Sequence, residues 1–407
     1  MLKINDLALF FILLPYIGFI FLPSDIQPLA FFSVLFLITI GLIKLTKVEI
    51  FGIVITSLYI TTVYLITISY YKNLPILSLF RYIIPYLTPI LIFSYCRTFY
   101  KIDITKVLDF VLLFIYFGYM LNILGFTWLI QLFVNRSVFE GADVRGLTSF
   151  FPEQSTIATQ LVFYLFLYYI YSSLNIYRFL FIVIALIFSL SGQTIINIFV
   201  LFFLYVLFLL VKFKKSHYLS LISILASFLI AFYYVDAKFL VDLGLPSRGI
   251  YAISDLINYG FIYLLKDDGI AYKLTGFLYG VSGIVDLNYI PSIYKTQYID
   301  KLNVDFLSHV FFNIIGKSYL IVPSNPYSIF GSLLFDHALI GLSLFILFLI
   351  SYLYILSVSN FQYRIIFSFL FFLFVFHSFI AQPTFWYVLF ISYFKLVYYE
   401  KKSLNIL

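Results

Sequence analysis

An all-α polytopic integral membrane protein of about 12 transmembrane helices is what this sequence predicts, on three observations. Hydrophobic residues make up 63% of the 407 and charged residues only 11%, more apolar material than a soluble core can bury. The apolar residues gather in long runs, with a mean hydropathy of +1.07. The cations gather on alternate connections between those runs, which is the signature of a multi-pass topology.

Each span needs roughly 20 apolar residues to cross about 30 Å of hydrocarbon. In order, the runs are Leu7–Leu22, Leu29–Ile43, Ile50–Tyr70, Ile76–Tyr95, Val107–Leu124 and Ser155–Tyr171. Phe179–Leu190, Ile195–Val211 and Tyr218–Val235 follow, then Ala338–Leu356, Ile365–Ile380 and Phe385–Tyr399. The first has a weak basic start and no small-residue cleavage site, so it reads as an uncleaved span. Phe179–Leu190 is short and meets its successor through Ser191-Gly192-Gln193-Thr194. That polar tetrapeptide is a tight surface turn, the preferred reading, or a dip lining a buried cavity. Twelve spans put both termini on one side. The loops on that side carry Lys3, Lys44, Lys47, Arg97, Lys101, Lys106, Arg178, Lys212, Lys214, Lys215, Arg364, Lys395, Lys401 and Lys402, while Lys72 is the main exception opposite. The positive-inside rule then makes both termini cytoplasmic.

Two longer polar stretches therefore face outward, Trp128–Ser155 and Asp236–Tyr327. The second holds 7 of the 25 Lys/Arg and 8 of the 18 Asp/Glu, too many charges to rest in hydrocarbon. The chain thus divides into residues 1–235 with nine spans and an outer loop at 125–155, a large outer segment at 236–327, and residues 328–407 with three spans. Ile329–Phe335 reads as a short interfacial helix leading into Asp336-His337 and the tenth span. The net charge of +7 sits mostly in short loops beside apolar runs, which is a topology signal and gives no nucleic-acid patch. A single cysteine, Cys96, forbids an internal disulfide, and four histidines without metal-ligand spacing make a metal site unexpected.

Few polar residues are placed for chemistry. Arg145 and Arg248 stand next to glycines on separate outer loops. A guanidinium keeps its charge in a partly dry site and forks onto phosphate oxygens; the plainer alternative is a solvated loop cation. Arg81 lies inside its span toward the outer end, where a charge is usually functional or paired, unless it snorkels to the surface. Glu153, at the mouth of the sixth span, is placed either as a general base or as a first-turn carboxylate favoured by the helix dipole. Asp336 and His337 offer a second carboxylate and an imidazole at the start of the tenth span, while His377, near Gln382, reads more readily as a structural hydrogen-bonder.

Several segments resemble the O-antigen and related surface-polysaccharide polymerases, a family related to the O-antigen ligases. Arg145-Gly-Leu-Thr-Ser-Phe-Phe-Pro-Glu153 is similar to the family's Arg-x-x-Gly-x-Phe-x-Glu-Pro region, with the proline before the glutamate instead of after it. Leu190-Ser-Gly-Gln-Thr194 is similar to the break ahead of the family's eighth span. Ser247-Arg248-Gly-Ile-Tyr-Ala, Leu274-Thr-Gly-Phe-Leu-Tyr-Gly280 and Asn325-Pro-Tyr-Ser328 through Leu342 match other segments. The ligases' His-Asn falls here on Tyr327-Ser328, which moves the resemblance toward the polymerases and leaves the base open between Glu153 and His337. The resemblance implies a GT-C-like arrangement in a bacterial inner (plasma) membrane and a metal-independent, inverting glycosyl transfer at the outer leaflet, with no cofactor. Donor and acceptor would be undecaprenyl-diphosphate-linked oligosaccharides, with Arg145, Arg248 and Arg81 holding the diphosphate. A chain-length regulator and a flippase would be partners, beside the lipid bilayer itself, with no nucleic acid. A lipid-linked oligosaccharide flippase and a ligase are the competing readings.

Overall fold

The computed structural model describes residues 4–18, 28–70, 79–134, 147–152, 154–189, 192–210, 284–286, 319–321, 329–376 and 382–404. The helices of the first part are α1 (Ile4–Leu13), α2 (Pro28–Thr39), α3 (Lys47–Tyr70), α4 (Leu79–Phe99) and α5 (Thr105–Ile123). They continue with α6 (Thr127–Gln131), α7 (Gln154–Ile170), α8 (Ile176–Phe188) and α9 (Gly192–Leu210). The last part supplies α10 (Ile329–Val358), α11 (Phe361–Phe376) and α12 (Pro383–Leu404). Helices thus occupy eleven of the twelve expected stretches, and the run Tyr218–Val235 lies outside the described residues. Among the described residues three helical stretches are long and apolar enough to cross a membrane: Lys47–Leu65, Thr105–Ile123 and Leu339–Val358. The molecule is helical, of a membrane-spanning kind. It departs from an all-helical expectation at one place, where β1 (Ile284–Asp286) pairs antiparallel with β2 (Tyr319–Ile321). Both are short runs of strand-favouring residues.

Helix α4 is central, packing on α2, α3 and α12, while α7 packs on α8, α9 and α12. The cations expected on the inner side close one end of this bundle. Thr46 and Glu49 form a capping box at the start of α3, each side chain accepting from the other's backbone N–H at 3.2 and 2.6 Å. Arg97, near the end of α4, donates to both Glu49 oxygens at 2.8 and 2.9 Å and to the Lys44 carbonyl at 2.6 Å. Arg178 likewise forks onto Asp109 at 2.8 and 2.7 Å, joining α8 to α5, and Tyr168 donates to the same carboxylate at 2.7 Å. In the loop before α5, the Thr105 hydroxyl and then its backbone N–H hold the Asp103 carboxyl below its usual range. Bidentate pairs of this kind fix geometry as well as charge.

Two features break the regular bundle. Pro15 cannot donate, so α1 stops at Leu13 after 10 residues, about 15 Å of rise and half a membrane. Helix α10 is sharply folded: the rings of Phe330 and Phe345 lie 4.1 Å apart, although fifteen residues of straight helix would separate them by about 22 Å. The Leu333 carbonyl rests against Gly341 where any side chain would collide. The short helix expected at Ile329–Phe335 is therefore present, turned back along the start of the long one.

Candidate functional site

A belt of buried polar groups crosses the bundle, beginning where α1 ends. The Leu13 carbonyl accepts from Gln160 of α7 at 2.9 Å and from the Tyr164 hydroxyl, and the Ile12 carbonyl accepts from the Thr384 hydroxyl of α12. Gln160 also donates to Thr384 and accepts from Gln382 at 3.4 Å. One residue away on α7, Thr159 accepts from Asn197 of α9 at 3.2 Å. Further along, Thr194 donates to the Ser189 carbonyl at 3.3 Å, across the connection between α8 and α9. Ser189, Thr194, Asn197 and Gln160 are each 1% exposed or less. The flanks of Leu190–Gln193 are thus buried, as the dip reading expects and the surface-turn reading does not. Polar side chains at such depth are costly unless paired, and here they satisfy carbonyls that a broken helix leaves free.

Above the belt, helix α8 is too short to cross at 13 residues, about 20 Å. The space beyond its end is filled by Leu147–Pro152, part of the outer loop. Leu147 N–H donates to the free Phe188 carbonyl at 2.7 Å, and a turn closes from Phe151 N–H to the Thr148 carbonyl at 3.1 Å. Asn122 accepts from Ser149 N–H at 2.9 Å, and the Ser149 hydroxyl donates to the Ile115 carbonyl at 2.7 Å. Phe150 stacks on Phe114 at 4.2 Å. Ile115 lies eight residues before the C-terminal end of α5 at Ile123, so the wedge reaches about 12 Å along the helix. The sequence reading left this segment in an outward polar loop. Phe150 and Phe151, both buried, are the reason it turns inward.

The predicted site residues fare unequally. Arg145, Arg248 and Glu153 lie outside the described residues. By connectivity Arg145 is two residues before the wedge, and Glu153 stands between its end and the start of α7, seven residues above Gln160. Arg81 lies in the first turn of α4 with its side chain outside the described residues, and its backbone carbonyl finds no N–H at Pro85, four residues on.

His337 is described, within the folded part of α10 and against α3 and α4. Its Nδ1 is 3.1 Å from the Tyr59 hydroxyl, and its ring meets the edge of Tyr86 at 4.6 Å. Tyr59 is ten residues beyond Glu49 on α3, and Tyr86 eleven before Arg97 on α4. Both paths place the imidazole about 15–17 Å along the bundle from the Arg97–Glu49 pair, near its middle. The reversal of α10 turns the histidine inward. Among the described residues, its Nε2 is buried without a hydrogen-bond partner, as is Thr148 Oγ1. Neither Tyr59 nor Tyr86 stood out among 37 tyrosines; the one available signal was their position inside apolar runs. Among the described residues no three His, Cys, Asp or Glu side chains gather as metal ligands.

Comparison with known proteins finds no family model, no curated protein and no solved structure that matches this chain.

Proposed function

We propose that this protein is a polysaccharide (O-antigen) polymerase of the bacterial inner membrane, a glycosyltransferase that joins undecaprenyl-diphosphate-linked repeat units at the outer leaflet. One observation supports the reading: the buried wedge Leu147–Pro152 stands in the chain between Arg145, a side chain of the kind that forks onto phosphate, and Glu153, a carboxylate. In the reaction, a hydroxyl oxygen of the acceptor unit attacks the anomeric carbon of the donor. The bond from that carbon to the diphosphate breaks, and the lipid diphosphate leaves with the electron pair. Glu153 takes the hydroxyl proton. Arg145, Arg248 and Arg81 stabilise the charge on the departing diphosphate. One direct displacement inverts the anomeric centre. Twelve spans with cytoplasmic termini put the 236–327 segment on the side where these lipids are displayed.

The alternative of a flippase is less well supported. Transporters of broken-helix design leave unwound carbonyls to coordinate ions, whereas the Ile12 and Leu13 carbonyls are taken up by Thr384, Gln160 and Tyr164. Lysine in place of Arg145 or Arg248 keeps charge and loses the fork. At normal expression each variant is expected to lose long chains and display single lipid-linked units on the outer leaflet. Full-length chains in both variants would refute the diphosphate clamp; single units held inside would favour the flippase, and transfer to a lipid A core acceptor the ligase.

A further inference from the structure

Among the described residues four basic side chains are half-buried: Arg97, Arg178, Arg364 and Lys395. Each arginine donates to an oxygen, Arg97 to Glu49, Arg178 to Asp109 and Arg364 to the Leu356 carbonyl at 3.1 Å. Lys395, in the second half of α12, differs. Among the described residues its ammonium meets no oxygen acceptor and lies over the Tyr171 ring, 4.4 Å from the centroid. A half-buried charge without a hydrogen-bonded counter-ion is costly. Asp103 is near enough to attract both Lys395 and Arg178, but its carboxylate already accepts the Thr105 hydroxyl and N–H. Lys101 lies over Tyr100 at 5.6 Å, and Tyr100 stacks on Phe394, the chain neighbour of Lys395. Two ammonium groups, each over a tyrosine ring, are thus linked through Phe394 with one carboxylate near them, an excess of positive charge. An apolar seam continues from there between α4 and α12. Phe93 lies 5.2 Å from both Phe390 and Phe394, and Phe390 stacks on Trp386 at 5.8 Å. Phe93, Phe390 and Phe394 are only half-buried, so the seam keeps apolar surface open to the surroundings.

We propose that Lys395, with Lys101 beside it, binds the phosphate of an anionic phospholipid whose acyl chains lie along the seam of Phe93, Phe390 and Phe394. Charge and shape together select this occupant. A lysine ammonium binds phosphate as a point charge, and the phosphate supplies the oxygen acceptors that Lys395 lacks while leaving the Arg97 and Arg178 pairs undisturbed. The cations stand at the end of a span and the aromatic surface runs from them into the depth of the bundle. A lipid matches both parts, an inorganic phosphate only the first. Basic pockets between transmembrane helices bind lipid head groups on this principle. The proposal stands apart from the polymerase reading: it involves α4, α7, α12 and the connection between α4 and α5, and no glycosyl transfer.

Trp386 provides the readout. It lies nine residues before Lys395 on α12, about 14 Å of rise, level with bromines carried midway along the chains of a lipid whose head is at Lys395. The full chain with Trp128→Phe keeps Trp386 as its one tryptophan. It is reconstituted in phosphatidylcholine vesicles containing increasing fractions of brominated phosphatidylglycerol or of brominated phosphatidylcholine. Half-maximal quenching is expected at an about fivefold lower fraction of the phosphatidylglycerol, the preference that one lysine at an anionic surface confers. Lys395→Met keeps the apolar stem and is expected to bring the two lipids level, whereas Lys395→Arg keeps the preference. A second measurement needs no variant at position 395: the preference is expected to shrink when salt is raised from about 0.05 to about 1 M, as screening shortens the reach of the charge. Equal quenching by the two lipids at low salt overturns the proposal. So does a preference that survives Lys395→Met or high salt, and so does displacement of the phosphatidylglycerol by millimolar inorganic phosphate, which would make the site one for the free anion. No elongation is measured, so these outcomes are independent of whether the chain polymerises glycans.

Discussion

At the scale of single residues, two arginines among the described residues hold the fold. Arg97 and Arg178 each commit a guanidinium to one carboxylate across a helix pair. Glu49 is 4% exposed against 31% for Arg97, so removing the arginine strands a buried charge, a change that typically costs more than the pair itself contributes. His337 sets the opposite problem. A buried ring nitrogen without a partner costs roughly 1–3 kcal/mol, and an apolar side chain of similar volume escapes that cost. His337→Leu is therefore expected to unfold in detergent at or above the native temperature, while His337→Ala, which leaves a cavity, unfolds below it. Equal losses in the two variants would mean that Nε2 has a partner in the folded protein. Loss of elongation in a stable His337→Leu would assign the nitrogen to the reaction.

Among the elements, interrupted helices do most to shape the interior. Helix α1 stops half-way because Pro15 follows it, and the carbonyls left behind recruit Gln160, Tyr164 and Thr384 from two other helices. Gln160→Leu keeps the volume and removes the amide. Since Tyr164 still reaches the Leu13 carbonyl, the expected loss is about 1 kcal/mol, read from the unfolding midpoint, in line with the modest worth of hydrogen bonds inside membrane proteins. A loss several times larger would show that the belt acts as one cooperative unit. Helix α8 stops short for a related reason: its last carbonyls are accepted as partners by the wedge and by the Tyr119 hydroxyl, 3.1 Å from the Ala185 carbonyl, so the chain beyond it can turn while still buried.

Over the whole molecule, charge and depth are arranged in layers. Ion pairs close one end, the polar belt crosses the interior, and the long segment 236–327 carries 8 of the 18 acidic residues. Topology reporters fused in the Lys212–Lys215 loop and within residues 236–327 are expected to report opposite sides, cytoplasmic for the first and external for the second. The same side for both would remove the span Tyr218–Val235 and with it the outward placement of Arg248.

Much of this could be read from composition and spacing. Apolar runs of the right length must become helices in a medium without water, because no other backbone arrangement satisfies its own hydrogen bonds there; eleven described helices fall where those runs lie. The sequence also placed a short helix before His337. The site was less legible. Gln160, Asn197 and Thr384 belong to helices far apart in the chain, and nothing local marks them as neighbours.

Residue order by itself therefore determined the class of protein, the helical stretches and the alternation of cations, since each follows from local hydropathy and the cost of burying charge. Only the tertiary structure decided that a loop with two phenylalanines would turn into the bundle, that a reversed helix would carry His337 to mid-depth, and that a broken α1 would be satisfied from α7 and α12. Those outcomes depend on which surfaces meet, and packing between distant segments is what settles them.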